Sequence, residues 1–184
     1  MAPIVLRAEH YALPWFLLAF TASSLAVLWP GPSTRWLLAN RRYIGLTFAA
    51  GMAWHFSLVA YVFWSFGNPL SPFSTATDLT GAVFVLLLTV TSSQWAVRRL
   101  GAANWRRLHK TGVYVIWLLT TNIYYDNVKD GSDRFHYAVL SALLAAWLLR
   151  VAAWAKQRLK TQRTTTARAR EVRQRPPAAG HELR

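Results

Sequence analysis

The chain contains no cysteine. Disulfides, iron–sulfur clusters and thiolate metal sites are therefore excluded. Acidic residues are scarce as well: seven Asp and Glu stand against 21 Lys and Arg, for a net charge of +14. Only 15% of the 184 residues are charged, whereas 54% are hydrophobic. A soluble domain of that net charge usually carries more Glu and Lys on its faces. Strand-type alternation, internal repeats and a glycine-rich dinucleotide fingerprint are also missing. The opening MAPIVLRAEHYALPWF lacks a charged region followed by a small-residue cleavage site, so it reads as a retained segment.

What is there is a set of apolar runs separated by basic stretches, the pattern of a polytopic membrane protein. The basic residues fall between the runs and not along one face, so nucleic acid is not an expected partner. A helix needs about 20 apolar residues to cross the bilayer core. Five stretches qualify: Tyr11–Pro30, Tyr43–Trp64, Asp78–Val97, Leu108–Tyr125 and Phe135–Trp154. The segments GPSTRWLLANRR, SFGNPLSPFSTAT, RRLGAANWRR and DNVKDGSDR between them read as loops. The expected fold is an all-α, five-helix transmembrane domain over residues 1–155, followed by a basic, partly disordered tail over 156–184.

An N-terminus outside and a C-terminus in the cytoplasm put 18 of the 21 Lys and Arg inside, leaving Arg7, Lys129 and Arg134 outside. Five of the seven acids, Glu9, Asp78, Asp126, Asp130 and Asp133, then fall outside. This is the distribution that the positive-inside rule demands. Trp29, Trp36, Trp95, Trp105 and Trp154 cluster near the inner interface as an aromatic belt. The tail beyond Lys156 reads as a helix extension running into a disordered terminus, with attraction to anionic membrane lipids as a second reading.

Ionisable groups within a bilayer are costly, so each marks a candidate site. His55 lies deep in the second run, His109 at the inner end of the fourth and His136 at the outer end of the fifth. Arg150 can snorkel to the inner interface. His10 and His181, near the termini, carry less weight. His55 is 13 residues beyond Arg42, about 20 Å deep, and Asn122 is 15 beyond Arg107, about 22 Å deep. His109 lies only about 3 Å in. Histidines on facing helices are the usual way to hold a haem iron from both sides, and His55 and His109 are too far apart in depth to share one. A bland role for His55 is a hydrogen bond between helices.

The stretches RRYIGLTFAAGMAWHFSLVAY and TSSQWAVRRLGAANWRRLHKTGVY carry a family resemblance. Arg42, Gly45, Leu46, His55, Thr91, Ser92, Arg99, Leu100, Gly101, Trp105, Leu108, His109 and Tyr114 together resemble the ferric-reductase-like transmembrane domain family. The nearest branch is the haem-binding membrane subunit of the bacterial methionine sulfoxide reductase system, and the resemblance runs from about Glu9 to Trp154. It implies helices that hold haem b and relay electrons across a bacterial inner membrane. It also implies a quinone or a separate flavin reductase as donor, and a periplasmic protein as acceptor. The chain would then be the membrane subunit of an oxidoreductase, with His55 and His109 as candidate haem-iron ligands.

Two departures accompany the resemblance. Five runs are present where the branch typically has six. The family's third histidine, 13 residues after the position of His109, is Asn122 here, a poor iron ligand whose amide could bond to a neighbour such as His55. Either His136 replaces the missing ligand or His55 holds iron alone, with His109 binding a haem propionate, a quinone or a lipid phosphate. Asn122→His is expected to restore a two-histidine site. The alternatives are a haem-free membrane scaffold that binds a partner and, more remotely, a channel or transporter.

Overall fold

The computed structural model describes residues 2–67, 72–131 and 134–174, and among them every regular element is helical. The helices are α1 (Ala2–Leu28), α2 (Pro32–Ala39), α3 (Arg41–Phe66), α4 (Pro72–Val90), α5 (Gln94–Leu100), α6 (Ala102–Lys129) and α7 (Arg134–Gln174). Three of them, α1, α3 and α7, are long and apolar enough to cross a membrane, and α4 with α5 makes a fourth if that bent pair counts as one span. α6 has the length, 28 residues, but is too polar to qualify on composition. Their outward faces carry large apolar side chains such as Trp54, Trp64, Leu79, Leu86, Leu118 and Leu148. A water-soluble protein would bury such a surface, so the chain is an integral membrane protein.

The five long helices close into a ring. α1 packs against α3 and α7, α3 against α4, α4 against α6, and α6 against α7. α1 and α3 are antiparallel, with Ala12 against Gly51 and the Phe16 and Phe48 rings 5.1 Å apart. α6 and α7 are antiparallel too: the Trp117 indole donates to the Leu143 carbonyl at 3.1 Å, and Tyr124 meets His136 further along. α1 and α7 run parallel, with His10 beside His136 at one end and Lys156 donating to the Leu28 carbonyl at 3.0 Å at the other. The core consists of Leu13, Phe16, Phe20, Ala49, Val85, Ile116, Tyr124, Val139, Leu143 and Ala146.

Two of the segments expected to be loops are partly helical. GPSTRWLLANRR contains α2, which begins at Pro32, where a missing N–H costs nothing. The Thr34 hydroxyl accepts from the Gly31 N–H at 3.0 Å and donates to the Trp29 carbonyl at 2.9 Å, which fixes the entry to α2. RRLGAANWRR contains the end of α5 and the start of α6, which meet at Gly101 with φ +75°, a left-handed conformation that suits glycine. The third apolar run, expected to be straight to Val97, instead breaks after Val90 and bends by 97° into α5. The Thr91 and Ser92 hydroxyls donate to the Leu87 and Leu88 carbonyls, both at 2.6 Å, and Ser93 caps α5 by accepting from the Ala96 N–H at 3.1 Å. α7 continues unbroken through Gln174, which covers most of the expected tail; residues 175–184, with His181, lie outside the described residues.

Candidate functional site

At the centre of the ring lies a cavity of about 60 Å³. Leu13 and Phe16 of α1 line it, with Phe48, Met52, His55 and Phe56 of α3. α4 supplies Thr77, Asp78, Gly81 and Val85, and α6 supplies Ile116, Leu119, Thr120, Ile123 and Tyr124. The wall is aromatic and aliphatic apart from a polar band at the level of His55. His55 is 6% exposed, its ring 5.4 Å from that of Phe56. Asp78 stands within range of the His55 charge. A histidine and a carboxylate sharing an apolar cavity inside a membrane bundle form a functional constellation by default.

The α6 residues that reach the cavity fall at i, i+3, i+4, i+7 and i+8, one stripe of a helix. Asn122 is off that stripe, roughly 130° around the axis at 100° per residue. Its amide donates to Asp126 Oδ2 at 3.3 Å on its own helix. Thr120, Ile123 and Tyr124 share the cavity with His55, whereas Asn122 does not line it.

His136 is on α7, which contributes no lining residue. It belongs instead to a ring cluster with His10, Tyr124 and Phe135, at centroid distances of 6.1, 5.7 and 5.9 Å from its own ring. Its Nδ1 is buried and makes no hydrogen bond. The buried Tyr124 stands between this cluster and the cavity. His109 lies near the opposite end of the bundle. Its Nε2 is 3.0 Å from Thr91 Oγ1, its ring is 4.3 Å from that of Trp105, and the Trp105 indole donates to the Thr91 carbonyl at 2.7 Å. Thr91, Gly101, Trp105 and His109 thus form one connected corner that ties the broken end of α4 to the first turns of α6. Three site residues escaped the sequence reading: Asp78 was counted only as an outer charge, Tyr124 was taken as part of an apolar run, and His10 was set aside as terminal. Asp78 and Tyr124 fall at helical spacing from the other lining residues, a signal visible only once the helix faces are known.

The residue chemistry fits a haem held through one histidine, with aromatic walls and no competing cationic group. The free space of about 60 Å³ is too small for a porphyrin unless the walls move apart.

Fold and site define a membrane helix bundle built around a buried histidine. The chain is similar to the protein-methionine-sulfoxide reductase heme-binding subunit MsrQ of Azospira oryzae, 33% identical over 126 residues, which cover 61% of this chain and 51% of the relative. It is likewise similar to the subunits of that name from Bordetella pertussis and Bordetella bronchiseptica, each 36% identical over 135 residues, 66% of this chain and 62% of the relative. The chain therefore spans about half to three fifths of the length of these relatives, and it is a divergent relative of the subunit. No family model matches the chain, and no solved structure matches it.

Proposed function

We propose that the chain is a haem-binding, electron-relaying membrane subunit that works with a methionine-sulfoxide-reductase-type partner. The observation that carries this reading is His55, a buried imidazole on the wall of an apolar cavity at the centre of a closed ring of helices. The relatives named as haem-binding support it. A bound haem b would supply a one-electron carrier within the bilayer. His55 would hold the iron, and Phe16, Phe48, Phe56 and Ile116 would exclude water from the macrocycle. Asp78 is the kind of carboxylate that orients an iron-bound imidazole. Among the described residues no second histidine lines the cavity, so His55 would be the one histidine holding the iron.

The wider arrangement belongs to the same proposal. All five long helices cross the bacterial inner membrane, with the arginine-rich end in the cytoplasm. Electrons enter there from a quinone or a separate flavoprotein and leave toward a protein acceptor outside. The small size of the cavity favours one rival, a haem-free scaffold that keeps the fold alone.

The test is a pyridine haemochrome assay and an absorption spectrum on detergent-purified protein from haem-replete cells. A b-type spectrum that responds to dithionite, binds carbon monoxide in the ferrous state and disappears in His55→Ala is expected. Colourless, monodisperse protein would assign the chain to the scaffold reading.

A further inference from the structure

At the end of the bundle opposite the arginines, three rings that carry donor atoms meet. His10 comes from α1, Tyr124 from α6 and His136 from α7, and α1 and α6 each pack on α7. The ring centres form a triangle. Its sides are 6.1 Å between the two imidazoles, 6.2 Å from His10 to Tyr124 and 5.7 Å from Tyr124 to His136. The imidazole planes are 78° apart, so they do not stack. The Phe135 ring covers the group, 4.5 Å from His10 and 5.9 Å from His136. Both histidines are half-buried, and Tyr124 is buried.

Ring packing alone does not account for this group. The His136 Nδ1 is buried and makes no hydrogen bond, which is unfavourable for a polar atom. A cation with affinity for imidazole removes that cost, and the spacing suits one. Zinc binds a ring nitrogen at about 2.0–2.1 Å and so lies roughly 3 Å from the ring centre. Two such distances span the 6.1 Å between the His10 and His136 centres. A point midway between them is about 5 Å from the Tyr124 centre, by the three sides of the triangle, and at that range a phenol oxygen meets the same ion. Among the described residues no three of His, Asp and Glu gather to hold a metal, so the donors beyond the two imidazoles are the phenol and water. Nitrogen with oxygen suits a divalent ion such as zinc or copper(II), whereas magnesium and calcium take oxygen ligands. Cysteine, the usual competitor for such ions, is absent from the chain. Acids and cations flanking these residues in sequence are balanced, so a dication is not repelled.

We infer that His10 and His136, with Tyr124 as a third donor, form a binding site for a divalent transition-metal ion at the end of the bundle opposite the arginines. The ion ties α1, α6 and α7 together. The site does not depend on haem being bound.

The experiment uses the full chain in neutral detergent, purified without a polyhistidine tag and stripped with a chelator. Zinc chloride or magnesium chloride is added, and the thermal unfolding midpoint is followed by tryptophan fluorescence. Zinc is expected to raise the midpoint by several degrees and magnesium to leave it unchanged. One equivalent of copper(II) should give an EPR spectrum with coupling to two imidazole nitrogens. His10→Phe and His136→Phe keep the ring packing, and each should weaken zinc binding at least tenfold and remove one nitrogen coupling. Tyr124→Phe should weaken it severalfold, and His181→Ala should leave it unchanged. His10→Gln and His136→Gln serve in the same way where a phenylalanine variant does not fold. A midpoint that zinc does not move, copper(II) held by fewer than two imidazoles, or binding undiminished in the folded His10 and His136 variants reduces the group to ring packing and overturns the site. Because neither readout needs haem, a colourless protein that still binds zinc separates the fate of this site from that of the electron-relay reading.

Discussion

A single residue's function in this bundle depends on two coordinates, depth and azimuth. A rise of about 1.5 Å per residue places His55 and Asn122 at one level from sequence alone, but only His55 lines the cavity. Azimuth accumulates at about 100° per residue, so it cannot be read without knowing which face a helix buries. That is why Asn122 looked like the partner of His55, although its amide bonds to Asp126. A direct consequence is testable with two variants. Thr120→His puts an imidazole on the lining stripe opposite His55, and it should convert the haem protein to a low-spin spectrum and abolish carbon monoxide binding. Asn122→His, off the stripe, should change neither. The reverse result would mean that α6 is rotated from the orientation described here. His109 teaches the same lesson in milder form. The motif residues Thr91, Gly101, Trp105 and His109 were legible as a group, but their shared corner, in which His109 meets a threonine hydroxyl, depends on a helix break that composition alone did not reveal.

At the scale of elements, the apolar runs revealed the long helices and their order, because hydropathy over about 20 residues is the strongest signal that a membrane sequence carries. It did not reveal α2 or the break between α4 and α5, both of which arise from local hydrogen bonds at Thr34, Thr91, Ser92 and Ser93. Close helix contacts depend on small residues, and here two glycines differ in kind. A Cβ on Gly51 would come within 2.9 Å of the Ala12 Cβ and 3.4 Å of its Cα, atoms fixed to the backbone of α1. A Cβ on Gly112 would meet only the Leu88 side chain, with Cδ2 at 2.9 Å, Cγ at 3.1 Å and Cδ1 at 3.2 Å, so that side chain and not the backbone has to shift. Alanine also gains about 1 kcal/mol of helix propensity over glycine at either position. Gly112→Ala should therefore be close to neutral. Gly51→Ala should destabilise by about 1–3 kcal/mol, the usual cost of overpacking, because α1 and α3 must move apart. Thermal unfolding of the two variants in the same detergent checks the contrast, and equal midpoints would refute it.

For the molecule as a whole, the undecided element is α6. By composition it is the weakest span, yet it is built into the ring along its whole length. It meets α4 at Thr91 and His109, where the bundle carries its arginines, and α7 at Tyr124 and His136, where the bundle carries Asp126 and Asp130. At 28 residues it is about 42 Å long, more than the roughly 30 Å of a bilayer core. Part of its polarity is turned inward, since Thr120 and Tyr124 line the central cavity and the Tyr114 ring lies under Arg150, while Asn122, off that stripe, bonds to Asp126 on its own helix. If α6 crosses, its two ends must lie on opposite sides of the membrane, and the excess of Lys and Arg fixes which side is which. The absence of cysteine makes the measurement free of background. Ala102→Cys and Asp130→Cys flank α6, and both positions are exposed. In intact spheroplasts, a membrane-impermeant maleimide should label Asp130→Cys and reach Ala102→Cys only after permeabilisation. Labelling of both from outside would show that α6 does not cross, and with it the five-span arrangement and the outward path for electrons would fall together.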